Sequence, residues 1–242
     1  MGAGEVEVGA ARALARELAR GRDGSHDAAH SERVARLAVR LAREERARGG
    51  GAGWGRGGGL SGDPGRDLAV VELCALLHDV ADHKYPEGLA EREARLGAFL
   101  AAEAGLSAEE AAAVRAAIDG LGFKEELAGP SRRPVSDLTA VVMDADRLDA
   151  LGAIGIARCF TFGGARGRTL HDPAVPPRGP GLTREEYCRG SDKQTTLNHF
   201  PEKLLKLKGL MRSGAGRRAA ERRHAFMEEF LAQFHAEWAG ER

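Results

Sequence analysis

The sequence predicts an all-α protein, a compact multi-helix bundle. Almost every long segment repeats its apolar residues every three to four positions, which is the period of an amphipathic helix. No run of alternating β-branched residues, the mark of a strand, stands out. The chain has 242 residues, 43% of them hydrophobic and 30% charged, and is long enough to bury a large core without disulfides. We therefore expect one helical domain over residues 1–242.

The first half of the chain is predicted to hold helices at about 5–20 and 26–46, followed by a glycine-rich segment at 49–65. Ordering so many glycines would cost more backbone entropy than the few contacts available there return. We expect this segment to be a flexible insertion. The next helix begins near Asp67 and is apolar around most of its circumference, which predicts full burial, and its polar residues gather at its C-terminal end.

The middle of the chain carries clear helix-start signals. A helix is expected at 89–104, and Ser107 with Glu110 forms a capping box that opens another, to about Leu121. Ser136 is a suitable N-cap for the next apolar segment, which we expect to break near Gly152 into two helices.

The last part of the chain begins with a loop rich in Gly and Pro at 164–181, whose length suggests a lid or binding role. Pro201 suits the first position of a helix running to about Arg212. The final helix, about 215–239, carries an aromatic residue at every fourth position, and we expect this stripe to pack in the core: Phe226, Phe230, Phe234 and Trp238.

The composition excludes several classes of protein. The formal net charge is zero, which argues against a general nucleic-acid or anionic-membrane binder. Three widely spaced cysteines, Cys74, Cys159 and Cys188, exclude a disulfide framework and a CxxC site and favour a reducing compartment. No apolar stretch has the ~20 residues of a membrane span, and the N-terminus lacks a signal-peptide pattern. We expect a cytoplasmic protein, with organellar targeting left open.

Histidine and aspartate stand next to each other three times, at His26, His78 and His171. His78 and Asp79 differ from the other pairs because they end the buried apolar helix. An ionised group there is costly unless it is paired or bound to a metal.

Other residues of the metal-ligand type lie on other predicted helices. His30 lies on the second helix, and Asp144, Asp146 and Asp149 crowd into another helix with an apolar face. Imidazoles and carboxylates from three helices can form a mixed nitrogen and oxygen site inside a bundle. Such a site suits a divalent ion, Mn²⁺ most naturally, with Fe, Co, Ni or Zn as alternatives. Helical periodicity does not choose between Asp144 and Asp146.

Four segments, HDAAHSERV, LLHDVADHKY, DADRLDALGAIGIARCF and HFPEKLLKLKGLM, resemble in this order the metal-dependent HD-domain phosphohydrolases. The resemblance is to the small bacterial branch that includes a nucleotide pyrophosphohydrolase. It covers 26–48 and 67–239, and the glycine-rich insertion is not part of the family pattern. It implies an all-α HD-domain bundle whose metal ligands are His30, His78, Asp79 and Asp146, because the family's last ligand is the aspartate before Arg-Leu.

The resemblance also implies roles around the metal. Asp82 is expected to act as general acid or base, because related hydrolases place a carboxylate there. Lys84 is expected to provide positive charge beside the transferred phosphoryl group. His26 is either a helix-start residue or a hydrogen-bond partner of a ligand, and Asp149 either orients Arg147 or a ligand or caps the bend at Gly152. Phosphate binding is expected from Arg33, Arg147, His199, Lys203 and Lys206.

The sequence thus predicts a metal-dependent phosphohydrolase that acts on a small nucleotide. The resemblance favours cleavage of a nucleoside triphosphate into a monophosphate and pyrophosphate; a 5′-nucleotide phosphomonoesterase and a cyclic-nucleotide phosphodiesterase are alternatives with the same chemistry. A non-catalytic metal- and nucleotide-binding sensor is the alternative of another class. A nucleic-acid partner, suggested only by the arginines at 212–223, and a membrane partner are not expected, and the oligomeric state is not predicted.

Overall fold

A computed structural model of the chain describes residues 4–19, 28–48, 60–81, 87–121, 135–178 and 194–241. Over these residues the chain is helical and contains no strand, which confirms the all-α prediction. The helices in chain order are α1 (Val8–Leu18), α2 (Ala28–Ala47), α3 (Pro64–Leu77), α4 (Leu89–Ala102), α5 (Ala108–Asp119), α6 (Asp137–Asp149), α7 (Gly152–Ala165), α8 (His199–Glu202), a 3-10 helix (Leu204–Leu210) and α9 (Gly214–Trp238).

The helices α2, α3 and α6 form the centre of the bundle. The α2 helix packs along both α3 and α6, α1 covers the outer side of α3, and α9 lies across α6, α7 and the 3-10 helix. As predicted, α3 is buried around most of its circumference: Val70, Val71, Leu73, Leu76 and Leu77 are each at most 1% exposed. A helix buried in this way carries its C-terminal residues into the interior of the bundle.

The start of α3 corrects the predicted insertion. Asp63 accepts a hydrogen bond from the Arg66 backbone N–H and caps the helix, and Pro64 occupies its first turn. The buried carboxylate of Asp67 accepts bonds from the backbone N–H and the hydroxyl of Ser61. The prediction that the insertion extends to residue 65 is therefore wrong, because residues 61–65 are tied to α3; residues 49–59 lie outside the described residues.

The structure confirms the helix starts and the helix break that the sequence predicts for the middle of the chain. Ser107 and Glu110 form a reciprocal capping box at α5, and the Ser136 side chain accepts from the Thr139 N–H at α6. Gly152 has φ of 72°, a left-handed conformation that favours glycine, and it separates α6 from α7 at an angle of 66°. Among the described helices no single one is long and apolar enough to cross a membrane.

The prediction for Pro201 is wrong. The helix begins two residues earlier, at His199, lasts for four residues, and is followed by the 3-10 helix. Proline is tolerated at its third position because the N–H groups of the first turn have no partner within the helix.

The prediction that the aromatic stripe of α9 packs in the core is correct only for its middle. Phe230 and Phe234 pack against Phe160 of α7, with ring centroids 6.0 and 6.4 Å away. Phe226 and Trp238 are 47% and 49% exposed. Residues spaced by four drift around a helix of 3.6 residues per turn, so a straight stripe of this length cannot stay on one buried face.

Candidate metal centre

Three helices bring the predicted ligands to one point. His30 lies in the first turn of α2, His78 is the C-cap of α3 with Asp79 directly after it, and Asp146 lies in the last turn of α6. Ligand atoms of His30, His78 and Asp146 all lie within 4.8 Å of one another. This is the spacing of donors that surround a single cation.

Both imidazole rings are held with the same nitrogen directed at the cluster. His78 Nδ1 donates to the Ala75 carbonyl at 2.7 Å, and His30 Nδ1 donates to Asp149 Oδ2 at 2.8 Å. Because Nδ1 carries the proton in these bonds, Nε2 is the nitrogen that has a lone pair whenever the ring is neutral. Nε2 is therefore the metal-binding atom that each ring offers.

The two carboxylates lie close to these lone pairs but do not bond to them at normal hydrogen-bond length. His30 Nε2 is 3.6 Å from an oxygen of Asp79 and 3.4 Å from one of Asp146. His78 Nε2 is 3.8 Å from both carboxylates, and this buried nitrogen has no hydrogen-bond partner in the part of the chain that the structure describes. An orphaned buried nitrogen beside two carboxylates fits the coordination of a divalent cation by these four residues.

The electrostatics of the cluster agree with this fit. Burial alone would lower the pKa of His78, but Asp79 and Asp146 outweigh it and raise the pKa to about 9. The pKa of the Asp146 carboxyl is held well below its usual value, because contacts with His30 and His78 overcome the effect of burial. The cluster thus favours additional positive charge, which a bound cation supplies.

Asp144 and Asp146, which helical periodicity did not separate, face different surroundings. The fully buried Asp144 carboxylate accepts bonds from the backbone N–H groups of Arg212 and Ser213 and from the Ser213 hydroxyl. It fastens the start of α9 to α6. Of these two aspartates, Asp146 is the one that reaches the two histidines.

Asp149, one turn after Asp146, is buried and connects the metal ligands to two arginines. Besides the bond from His30, it accepts two hydrogen bonds from Arg33, at 2.8 and 2.9 Å, and lies 3.1 Å from the Arg158 guanidinium. Burial would raise the pKa of Asp149, but the bonds from His30 and Arg33 and the charge of Arg158 lower it to about 2. The carboxylate fixes the orientation of the His30 ring.

The structure places the predicted phosphate-binding residues at different distances from this cluster. Arg33 lies at the edge of the cluster, where it bonds to Asp149. Buried Arg147 instead donates to the Leu210 carbonyl at 2.6 Å and so holds the 3-10 helix against α6. His199 and Lys203 lie together at α8, where burial and the charges of Lys203 and two arginines lower the pKa of His199 to about 3. Lys206 is exposed on the 3-10 helix.

Three predicted site residues, His26, Asp82 and Lys84, lie outside the described residues. Sequence reasoning missed Arg158, which pairs with Asp149. Nothing singled it out, because it is one of many arginines in the chain and its partner comes from the preceding helix.

Comparison with known families agrees with this geometry. The family model for the HD domain matches residues 27–151, which include all four predicted ligands. The chain belongs to the HD domain family. Proteins of this family are in general metal-dependent hydrolases and bind divalent metals, and His30, His78 and Asp146 form a possible site for one in this chain.

Relatives of this HD-domain chain are known in several bacteria. YpgQ of Bacillus subtilis is 35% identical over 178 residues, which cover 72% of this chain and 75% of YpgQ. The structure of YpgQ in complex with ADP has a TM-score of 0.69 at 28% identity and covers 98% of this chain and 100% of YpgQ.

Two further structures are similar over nearly their whole length. A protein of Lactobacillus plantarum has a TM-score of 0.73 at 34% identity and covers 97% of both chains. An HD-superfamily hydrolase of Bacillus thuringiensis has a TM-score of 0.63 at 33% identity and covers 96% of this chain and 97% of its own.

Proposed function

We propose that this protein is a metal-dependent phosphohydrolase that acts on small nucleotides and cleaves nucleoside triphosphates into monophosphate and pyrophosphate. The observation that carries the proposal is the cluster of His30, His78 and Asp146, in which the buried His78 Nε2 has no hydrogen-bond partner among the described residues. A cluster of this kind, at the meeting point of three helices, is built to hold a cation rather than to stabilise the fold by itself.

The ligand set of two imidazoles and two carboxylates favours Mn²⁺ as the metal. When bound, such an ion lowers the pKa of a coordinated water and polarises a phosphoryl oxygen. The chain's own residues perform the remaining tasks. Asp149 keeps the proton of His30 on Nδ1, and Arg33, fixed by the same carboxylate, places positive charge at the margin of the cluster.

Support for a nucleotide as substrate comes from the relative YpgQ, whose structure contains ADP. The cations at α8 and at the end of α7 are of the kind that binds phosphate groups. We propose Asp82 as general acid or base and Lys84 as a phosphate-binding residue; both follow Asp79 closely in sequence, and neither belongs to the described residues. The protein is proposed to act in the cytoplasm.

The experiment is a product analysis with nucleoside triphosphates, 5′-monophosphates and cyclic nucleotides in the presence of Mn²⁺. The wild-type protein is compared with His78→Gln and Asp146→Asn, and Asp119→Asn on the exposed end of α5 is the matched control for the charge change. We expect pyrophosphate and a monophosphate from the wild type and the control, and at least 100-fold less from the two ligand variants.

Other products would change the conclusion. Orthophosphate from monophosphates identifies a phosphomonoesterase, and opening of cyclic nucleotides identifies a phosphodiesterase. A folded protein that binds Mn²⁺ and hydrolyses none of the substrates is a sensor, and the proposal is then wrong.

A further inference from the structure

The C-terminal end of α7 is closed by a turn that places two arginines side by side. Gly167 has φ of 62°, and its N–H bonds to the Gly164 carbonyl at 3.1 Å. The Arg168 N–H reaches back to the Gly163 carbonyl at 2.9 Å. This pair of bonds is the Schellman motif, which ends a helix and reverses the chain. Arg168 is thereby folded back towards the last turn of the helix, beside Arg166.

Both guanidinium groups lie over the ring of Phe162. Their central carbons are 5.2 Å (Arg166) and 5.3 Å (Arg168) from the ring centroid. Among the residues that the structure describes, neither side chain is paired with a carboxylate. A guanidinium that lies over an aromatic ring keeps N–H groups that can donate to anionic oxygens. Two such like charges near one ring are a pair that a bound anion would stabilise.

The surroundings of this arginine clamp (Arg166 and Arg168 on Phe162) add positive charge. Bonds from the Thr196 and Leu197 N–H groups to the carbonyls of residues 169 and 170 hold the segment after the clamp against the segment that leads to His199 and Lys203. The pKa of His199 is lowered to about 3 by burial and then by Lys203, Arg168 and Arg178, so the field at this point is positive.

One nearby cation is already neutralised. Arg178 donates to both carboxylate oxygens of buried Glu202, at 3.3 and 2.9 Å. The Glu202 carboxylate is therefore paired with Arg178, and it does not neutralise the charges of Arg166 and Arg168.

The clamp and the metal centre are joined by one helix. Arg158, in the second turn of α7, contacts Asp149 beside His30, and the clamp lies at the other end of α7. The rise of an α-helix puts the end of α7 roughly 10 Å beyond Arg158. A ligand that reaches both places must be extended and carry more than one anionic group, as a nucleoside polyphosphate does.

We propose that Arg166 and Arg168, which lie over the Phe162 ring, bind the terminal phosphates of the substrate, which become the pyrophosphate product. The identity of the ligand rests on the proposed function. With the terminal phosphates held at the clamp, the α-phosphorus is the one left for the metal centre. The arginines then select the bond that is cleaved, and they are binding residues distinct from the metal ligands.

The direct test is titration calorimetry of inorganic pyrophosphate into the purified full-length chain without added divalent ion. Arg168→Gln and Arg166→Gln are compared with Arg222→Gln, which removes the same charge from an exposed position of α9. We expect each clamp variant to raise the Kd for pyrophosphate about tenfold, the effect of losing one charge-assisted contact, and the control to change it less than twofold. Circular dichroism verifies that all variants are folded.

The steady-state kinetics of triphosphate hydrolysis provide the second measurement. The clamp variants should raise KM about tenfold, and they should leave the affinity for Mn²⁺ unchanged. Any of three results overturns the inference: pyrophosphate does not bind the wild type, it binds the clamp variants as tightly as the wild type, or Arg222→Gln raises its Kd as much as the clamp substitutions do. In that case the arginines serve only the C-terminal dipole of α7.

The two proposals fail in different ways. Loss of pyrophosphate binding in Arg168→Gln, in a protein that hydrolyses no nucleotide, supports the clamp and contradicts the proposed enzymatic reaction. Hydrolysis that is insensitive to both arginine substitutions, together with unchanged pyrophosphate binding, supports the enzyme and contradicts the clamp.

Discussion

The carboxylate of Asp149 holds one metal-ligand ring and two arginines at the same time. We expect Asp149→Asn to weaken Mn²⁺ binding by about 10- to 100-fold, because the hydrogen bond that orients the His30 ring is weakened and the ring loses its anionic partner. Titration calorimetry with Mn²⁺ measures this change.

The matched control is Asp144→Asn on the same helix. Asp144 is equally buried, but its oxygens accept bonds from Arg212 and Ser213. We expect this substitution to reduce the free energy of unfolding by about 1–3 kcal/mol and to leave the affinity for Mn²⁺ within twofold. If both variants lose the metal to the same extent, the effect of Asp149 is general destabilisation and its positioning role is refuted.

Among the helices, the packing of α7 against the segment that carries α8 depends on one glycine. A Cβ added at Gly163 would clash with the Thr196 side chain, whereas at the neighbouring Gly164 it would meet no atom of the described residues within 4 Å. We expect Gly163→Ala to reduce the free energy of unfolding by about 1–3 kcal/mol through overpacking. Gly164→Ala should instead be neutral or stabilise by up to about 1 kcal/mol, because alanine is the better helix former.

Urea unfolding of the two alanine variants measures this difference. A Gly163→Ala protein as stable as Gly164→Ala would show that α7 and the Thr196 segment are not in contact in solution. The pair is informative because the two positions are adjacent, lie in the same helix and receive the same side chain.

The junction of α3 and α5 depends on the ionisation of Glu110. Its buried carboxylate accepts two bonds from Arg66, at 2.7 and 2.6 Å, and one from the Ser107 N–H. Burial opposes the charge, but these bonds outweigh it and lower the pKa of Glu110. A lowered pKa means that the stabilisation is complete above the ordinary glutamate pKa and is lost as the pH falls through the lowered value.

Glu110→Gln should therefore be less stable than the wild type by about 1–3 kcal/mol at pH 7, and the difference should shrink as the pH approaches 3. Urea unfolding at both pH values measures it. The exposed neighbour Glu109→Gln is the control and should change stability by less than about 0.5 kcal/mol. A difference that stays constant with pH would show that the charge of Glu110 does not matter.

The same elements show what sequence can predict. Apolar period and capping residues located the helices, because both depend on residues within a few positions of one another. The early start at His199 and the exposed ends of the α9 stripe were not predicted, because they depend on which neighbours cover each face. The ion pair between Asp149 and Arg158 was not predicted, because it too depends on which elements pack together.

For the whole molecule, the decisive step is the meeting of His30, His78 and Asp146, which are far apart in the sequence. Periodicity placed each on a helix and their ligand chemistry made a shared site possible, but the choice of Asp146 came from the order of motifs shared with a known family. Helix packing around α3 brings them together: its last residues are carried into the interior and face α2 and α6. Two partly buried carboxylates crowded beside two buried imidazoles are then a liability for the fold unless a cation joins them.

This arrangement makes the stability of the whole protein depend on metal. At a Mn²⁺ concentration 100-fold above Kd, binding to the folded state adds about 2.7 kcal/mol, which for a chain of this size raises Tm by roughly 5–10 °C. Differential scanning calorimetry with Mn²⁺ and with EDTA measures the shift. Asp146→Asn should abolish it, because that variant lacks a ligand, and the exposed Arg222→Gln should retain it. A wild-type Tm that does not respond to EDTA or to added Mn²⁺ would show that the cluster does not bind the ion at these concentrations, and the metal-dependent function would lose its basis.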